Sequence, residues 1–181
     1  MAKILALDIS SISTGFAVLN DGYLDGYGII SSNTKLQYGA RLVYFQNEIK
    51  QLIQLHKPTI ITIEEIFKGR NMNTFKSLAM FRGIAVKTIN EETGKDPVVL
   101  LAVAARAILG FGSSKEDAFK KAIPTLNLTK LNFKFDLDND IVDAIILARA
   151  VEKLLKDNNG KPLQNSGRRK KRKPKRNKKL L

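Results

Sequence analysis

Four carboxylates stand where a fold could bring them together. Asp8 closes the apolar run Lys3-Ile4-Leu5-Ala6-Leu7, and Glu64 closes a second run, Thr59-Ile60-Ile61-Thr62-Ile63. Strands of this composition are buried on both faces of a sheet, so an acid at the end of one is held at the sheet's rim. Asp140 and Asp143 open an apolar helical stretch (Ile141, Val142, Ala144, Ile145, Ile146) and, three residues apart, share one helix face. Four carboxylates at one place repel unless cations neutralise them. Two divalent ions about 4 Å apart would do so, and would clamp the attacking water and the leaving oxygen of a phosphodiester. A plainer reading stays open. Asp is common where strands turn, and Asp136, Asp138 and Asp140 all suit a helix N-terminus through capping and the macrodipole. Glu65 reads as a solvated neighbour of Glu64. Asp143 is the most informative of the set, because a structural role at that point of the helix would use an apolar or small residue.

Other residue types narrow the chemistry. The chain has no cysteine and a single histidine, His56. Disulfides, thiolate metal sites and imidazole-based zinc chemistry are therefore excluded. Any metal would be held by oxygen, which points to magnesium, with manganese as a substitute.

The elements that must carry these acids follow from periodicity. After Asp8 the chain turns through Ser10-Ser11-Ile12-Ser13-Thr14-Gly15, and Phe16-Ala17-Val18-Leu19 returns beside the first strand. Asn20-Asp21-Gly22 signals a hairpin into a third strand, Tyr23 to Ile30. Tyr38, Leu42, Phe45, Ile49, Leu52 and Ile53 repeat at helical spacing before Lys57-Pro58. The strand ending at Glu64 follows, then a polar, basic loop from Lys68 to Asn73. A second helix is expected from Thr74 to Glu92 with Gly94 as its C-cap, and a strand from Pro97 to Leu101. Two short helices come next: one over Ala102 to Leu109, and one capped near Ser114 and followed by Pro124. The last helix runs from Asp136 to about Lys156. A three-strand meander followed by alternating strands and helices makes this an α/β protein, a mixed sheet with parallel strands added to the meander and helices on both faces. If the strand ending at Glu64 lies parallel beside the first, Asp8 and Glu64 meet at one rim.

At 181 residues the chain suggests one domain, over residues 1–157, followed by a flexible linker and basic tail, 158–181. No apolar run reaches the length of a membrane span and no signal peptide is evident, so no membrane partner is expected and a cytoplasmic location is. Net charge is +14, and the ten basic residues between Arg168 and Lys179, subtracted from it, leave +4 for the rest. Such a polycation, with Arg168, Arg169, Lys170 and Lys171 at its start, suits polyphosphate through counterion release. A solvated tail, or one resting on an acidic membrane surface, is the alternative.

Taken together, Asp8 with Thr14-Gly15, Ile63-Glu64-Glu65-Ile66-Phe67 and Asp140-Ile141-Val142-Asp143-Ala144 resemble the RuvC family of Holliday-junction resolvases. The stretch from Phe67 through Arg70-Asn71 and Lys76 to Arg82-Gly83 fits the same pattern, as do Gly110-Phe111-Gly112 and the Lys115 region. The resemblance runs from about Ala2 to Glu152, and the lysine-rich tail places it nearest the bacteriophage branch. It implies an RNase H-like fold working as a homodimer on four-way DNA in a bacterial or phage-infected cytoplasm. Magnesium-assisted nicks would leave 5′ phosphates. Asp8, Glu64, Asp140 and Asp143 match the family's metal-binding, catalytic acids. Phe67 matches an aromatic that opens or stacks on bases at the crossover; a core aromatic at a strand end is the plainer reading. Lys115 lies one position from where the family often has a basic residue near the scissile phosphate, and Arg106 stands in for a second. The helix after Asn71 matches the dimer interface, with Arg70, Asn71, Lys76 and Arg82 near DNA. The resemblance does not say whether a branch-migration motor is a partner.

Three other readings compete. An actin-like or sugar-kinase ATPase also has an acid followed by a Ser/Thr-rich turn, but needs two such domains. A broader nuclease for Y-branches, flaps, forks or structured RNA would use the same acids. An inert junction-binding protein would not need all four.

Overall fold

The computed structural model describes residues 2–66 and 71–159. Strands β1 (Lys3–Asp8), β2 (Ser13–Asn20) and β3 (Tyr23–Ser31) form the expected meander. Asp21 and Gly22 at the hairpin both have positive φ, 48° and 87°, as a two-residue loop between twisted strands requires. Helix α1 (Tyr38–His56) crosses to β4 (Ile60–Glu64), and α2 (Met72–Thr93) crosses to β5 (Val98–Leu100). Helices α3 (Ala102–Ile108), α4 (Lys115–Thr125) and α5 (Phe135–Asp157) follow among the described residues, with a short 3-10 turn at Thr129–Leu131.

The sheet order is β3-β2-β1-β4-β5, with β4 parallel to both β1 and β5. Alternation along the strands sorts the core into two layers. Leu5, Leu7, Ile61 and Ile63 pack with Phe45, Ile49, Phe81 and Ile89 of α1 and α2. Ile4, Ala6 and the half-buried Ile60 pack on the other side with Val142, Ile146 and Val151 of α5, and with α3 and α4. Asp8 and Glu64 continue this second set in register, so both acids sit at the C-terminal rim on the α5 side. The mixed sheet with helices on both faces is as expected. No helix among the described residues is long and apolar enough to cross a membrane.

Helix α5 is the central strut. Nine of its residues are buried, among them Ile141, Val142, Ile145, Ile146 and Val151. Each large one stabilises the packed state by roughly 1.5–3 kcal/mol, so the helix cannot slide cheaply over the sheet. Whatever its first turns carry is therefore fixed in place.

Several boundaries differ from expectation. β2 begins at Ser13 rather than Phe16, because Thr14 and Gly15 already pair with Ile30 and Ile29. α2 begins two residues early because Asn71 caps it, its side chain accepting from the backbone N–H of Asn73 and Thr74. Pro124 does not follow α4 but lies inside its last turn. A proline that close to the end costs a single ladder hydrogen bond, and Leu126 still donates to the Ala122 carbonyl.

Candidate active site

The site is built on the turn after β1. The Thr14 hydroxyl is buried, donates to the Ser10 carbonyl at 3.0 Å and accepts from Ser10 N–H at 3.1 Å. Arg41 of α1 donates to the Ser11 carbonyl and, at 2.8 Å, to the Ser32 hydroxyl. The turn that leaves Asp8 is thus pinned from inside and from the neighbouring helix. Sequence reasoning did not single out Arg41, and nothing in its local pattern distinguishes it from an ordinary basic residue on α1.

Helix α5 brings its two acids to the same rim. Asp143 is almost enclosed, its side chain 9% exposed, and Arg106 Nη2 of α3 sits astride its two oxygens at 3.2 and 3.3 Å. Arg106 Nη1 also donates to the Ser113 carbonyl at 3.3 Å. Lys115, the first residue of α4, reaches in from the open side. Its ammonium lies 2.9 Å from Asp143 Oδ2 and 3.3 Å from Asp140 Oδ1. The other Asp140 oxygen accepts from the Ser13 hydroxyl at 3.1 Å. Glu64 lines a small crevice with Arg106, Asp143 and Ile146, so the acid of β4 meets the acid of α5 there.

The electrostatics follow from this crowding. Burial pushes the Asp8 carboxyl well above its ordinary 3.8, and the Glu64 carboxyl beside it, by hydrogen bond and by charge, pushes the same way, as does Asp143. Lys115 opposes the shift. Asp8 thus holds its proton more tightly folded than unfolded. The stability it contributes is fully present below the unfolded pKa and is lost as pH rises through the raised folded one. Burial alone would lower the Lys115 pKa, but the charges of Asp143, Asp8 and Asp140 outweigh it and hold it above the usual lysine value.

These observations test whether a divalent cation suits the site. Among the described residues no three acids or imidazoles stand ready-grouped around one ion. What Asp140 and Asp143 hold instead, with the charge of Asp8 also acting on it, is the Lys115 ammonium. A cluster that raises one carboxyl's pKa and draws in a lysine calls for positive charge, and its donors are all carboxylate oxygens. Oxygen-only donors suit hard divalent cations. The donor set fits.

The remaining predicted residues divide. Asn71 is the α2 cap, Lys76 is exposed on α2, and Arg82 pairs with Glu65 at 3.2 Å. Glu65 is therefore ion-paired rather than merely solvated. Asp138 accepts from the Lys134 backbone N–H at 2.7 Å, the plain capping role. Arg106 is buried against Asp143 rather than presented at the surface. Phe67, Arg70, Arg168, Arg169, Lys170 and Lys171 lie outside the described residues. A cavity of about 830 Å³ opens at the opposite end of the strands, among Ile53, Ile60, Ile89, Val98 and Leu155, and none of the four acids lines it.

The family described as crossover junction endodeoxyribonuclease RuvC matches residues 4–151. The chain belongs to the RuvC family. RuvC proteins of Pseudomonas paraeruginosa and Thermomicrobium roseum are 26% and 23% identical to it. The first alignment covers 83% of this chain and 87% of the relative, the second 77% and 89%. Thermus thermophilus RuvC, solved in complex with a Holliday junction substrate, superposes with a TM-score of 0.76 at 14% identity, over 90% of this chain and all of that one. The yeast mitochondrial Holliday junction resolvase gives 0.60 at 15% identity, over 84% of this chain and 78% of that one. At such identities the superpositions speak for the fold, and the RuvC assignment rests on the sequence match.

Proposed function

We propose that this RuvC-family chain is a Holliday-junction resolving endonuclease whose chemistry is done by Asp8, Glu64, Asp140 and Asp143 with magnesium, manganese substituting. The observation that carries the reading is the convergence of these acids, from β1, β4 and α5, on one rim: Glu64 beside Asp8 and Asp143, and the Lys115 ammonium against Asp140 and Asp143. A divalent cation bound there would activate a water and stabilise the leaving oxygen of a phosphodiester. The protein's own part is to hold the acids rigidly: the pinned turn behind Asp8, the buried Arg106 behind Asp143 and the packed α5 all act to that end. Lys115, 40% exposed at the mouth, is the cation placed to meet a phosphate. The products would carry 5′ phosphates and 3′ hydroxyls.

A homodimer fits α2. Met72, Lys76, Met80, Gly83 and Lys87 fall on one outward stripe of that helix, with Met80 56% and Met72 46% exposed. A Cβ on Gly83 would meet nothing within 4 Å, so the glycine is not required by this chain's own packing. Glycine inside a helix costs about 1 kcal/mol against alanine, and close approach of a second helix would explain it. The basic tail within the segment 158–181, from Arg168 to Lys179, supports steering to DNA and the finer placement in the bacteriophage branch, in a bacterial or phage-infected cytoplasm. DNA contacts by Phe67, Arg70, Asn71, Lys76 and Arg82 belong to the same reading, as does a nuclease domain spanning 1–157.

The test is magnesium-dependent cleavage of a synthetic four-way junction beside a Y-branch and a linear duplex of the same sequence. Paired, symmetric nicks in the junction alone are expected from a dimeric resolvase. Equal cutting of the Y-branch would make it a general branched-DNA nuclease, and binding without cutting in either metal would sink the enzymatic reading. In the same assay, a chain ended before Arg168 binds more weakly with a flatter salt dependence. An unchanged slope would mean the tail does not touch DNA.

A further inference from the structure

The seat beneath Asp140 is a part of the site that the proposed chemistry does not yet use. Gly15 lies opposite Asp8 in the β1–β2 ladder, and α5 descends directly onto it. A Cβ on Gly15 would overlap the Asp140 carbonyl and stand 2.9 Å from the Ile141 nitrogen. Those neighbours are helix backbone and cannot swing aside. Gly15 is not among the glycines with positive φ, so its backbone would accept any residue. The position needs glycine for room alone. Two residues earlier on the same strand, the Ser13 hydroxyl donates to Asp140 Oδ2 at 3.1 Å, a contact spanning 127 residues of sequence. One short piece of β2 therefore fixes Asp140 twice: its backbone through the gap at Gly15, and its carboxylate through Ser13.

We infer that Ser13 and Gly15 are positioning residues that set where Asp140 stands relative to Asp8. The inference rests on Asp140 being one of the cation-binding acids. Gly15 is beside Asp8 across one strand spacing, roughly 4.8 Å, and beneath Asp140 through direct contact. It thus joins the backbones that carry the two carboxylates, by ladder pairing to Asp8 and by packing beneath Asp140. A side chain there holds α5 off the sheet and moves Asp140 and Asp143 together away from Asp8 and Glu64. Loss of the Ser13 hydroxyl leaves the helix seated but frees one carboxylate oxygen to rotate toward Lys115.

The experiment compares Gly15→Ala, Ser13→Ala, Ser13→Thr and Asp140→Asn in the full chain. Mn2+ binding to the free protein is measured by calorimetry, junction binding without divalent metal, and cleavage at saturating junction. Gly15→Ala is expected to cut about 100-fold more slowly, as a displacement near 1 Å at a reacting centre does. Ser13→Ala slows cleavage roughly tenfold, and Ser13→Thr, which keeps a hydroxyl, restores it. Both loss variants bind Mn2+ more weakly, while junction affinity changes by less than about threefold because it rests on phosphate contacts made elsewhere. Gly28→Ala is the control for strain. Its Cβ would press on the Phe16 ring at 2.8 Å, on the α1 face of the same sheet, and should leave Mn2+ binding and cleavage as in wild type. Wild-type Mn2+ binding and cleavage in Ser13→Ala, or in a folded Gly15→Ala, overturns the inference, and so does an equal loss in Gly28→Ala. If Gly15→Ala does not fold, the Ser13 pair decides alone. An Asp140→Asn protein that cleaves normally would instead remove Asp140 from the catalytic set.

Discussion

Asp143→Asn is expected to lower junction cleavage on the order of a thousandfold or more while leaving junction binding near wild type. Asparagine keeps the shape of the side chain and one oxygen that can accept from Arg106 and Lys115. What it loses is a full negative charge at an almost enclosed point of the site. Charge stabilisation of the reacting oxygens by a divalent cation is worth several kcal/mol, and each 1.36 kcal/mol is tenfold in rate. Binding should hold because it is carried by cations facing the backbone phosphates rather than by a buried acid. The check is single-turnover cleavage beside binding in EDTA. Wild-type cleavage would remove Asp143 from the chemistry.

Arg106→Ala should destabilise the fold strongly. It leaves the Asp143 carboxylate buried with Lys115 as its remaining cation, and Lys115 is 40% exposed and shared with Asp140. Removing one partner of a buried pair costs about 3–5 kcal/mol. That is a large fraction of the 5–15 kcal/mol typical of whole domains. Urea unfolding reads it directly. The double change Arg106→Met with Asp143→Leu removes both charges and should regain most of the stability, since apolar pairs of similar volume replace buried ion pairs well. That protein should fold and not cleave. A loss below about 1 kcal/mol in Arg106→Ala would mean the pair is effectively solvated.

These expectations draw on parts of the molecule that were unequally visible in the sequence. Asp8 and Glu64 were legible because an apolar run ending in acid has one natural place in a mixed sheet, and parallel pairing of β1 with β4 then puts both at one rim. Asp143 was legible because a charge amid Ile141, Val142 and Ile145 needs a reason. The Ser13–Asp140 bond and the Gly15–α5 contact were not, since each joins residues far apart in the sequence through packing that no local pattern encodes. The same holds for the hold of Arg106 on Asp143. Arg106 could be placed near the site only through the family resemblance, as a stand-in for a second basic residue. Its burial against one particular carboxylate depends on how α3 meets α5. Pro124 misled for the opposite reason: the local rule that proline follows a helix is true on average and is relaxed in a final turn.

The most direct test of the central claim, that these acids form a cation site, is thermal unfolding with EDTA or Mn2+, for wild type and Asp8→Asn. In EDTA the wild-type protein should lose stability as pH rises from the ordinary carboxyl range through the raised value of Asp8. At neutral pH, Mn2+ at a hundred times its dissociation constant should restore about 2.7 kcal/mol. Asp8→Asn, which relieves the repulsion with Glu64, should melt higher than wild type in EDTA and gain little from Mn2+. An equal Mn2+ gain in both proteins, or none in either, would contradict the account.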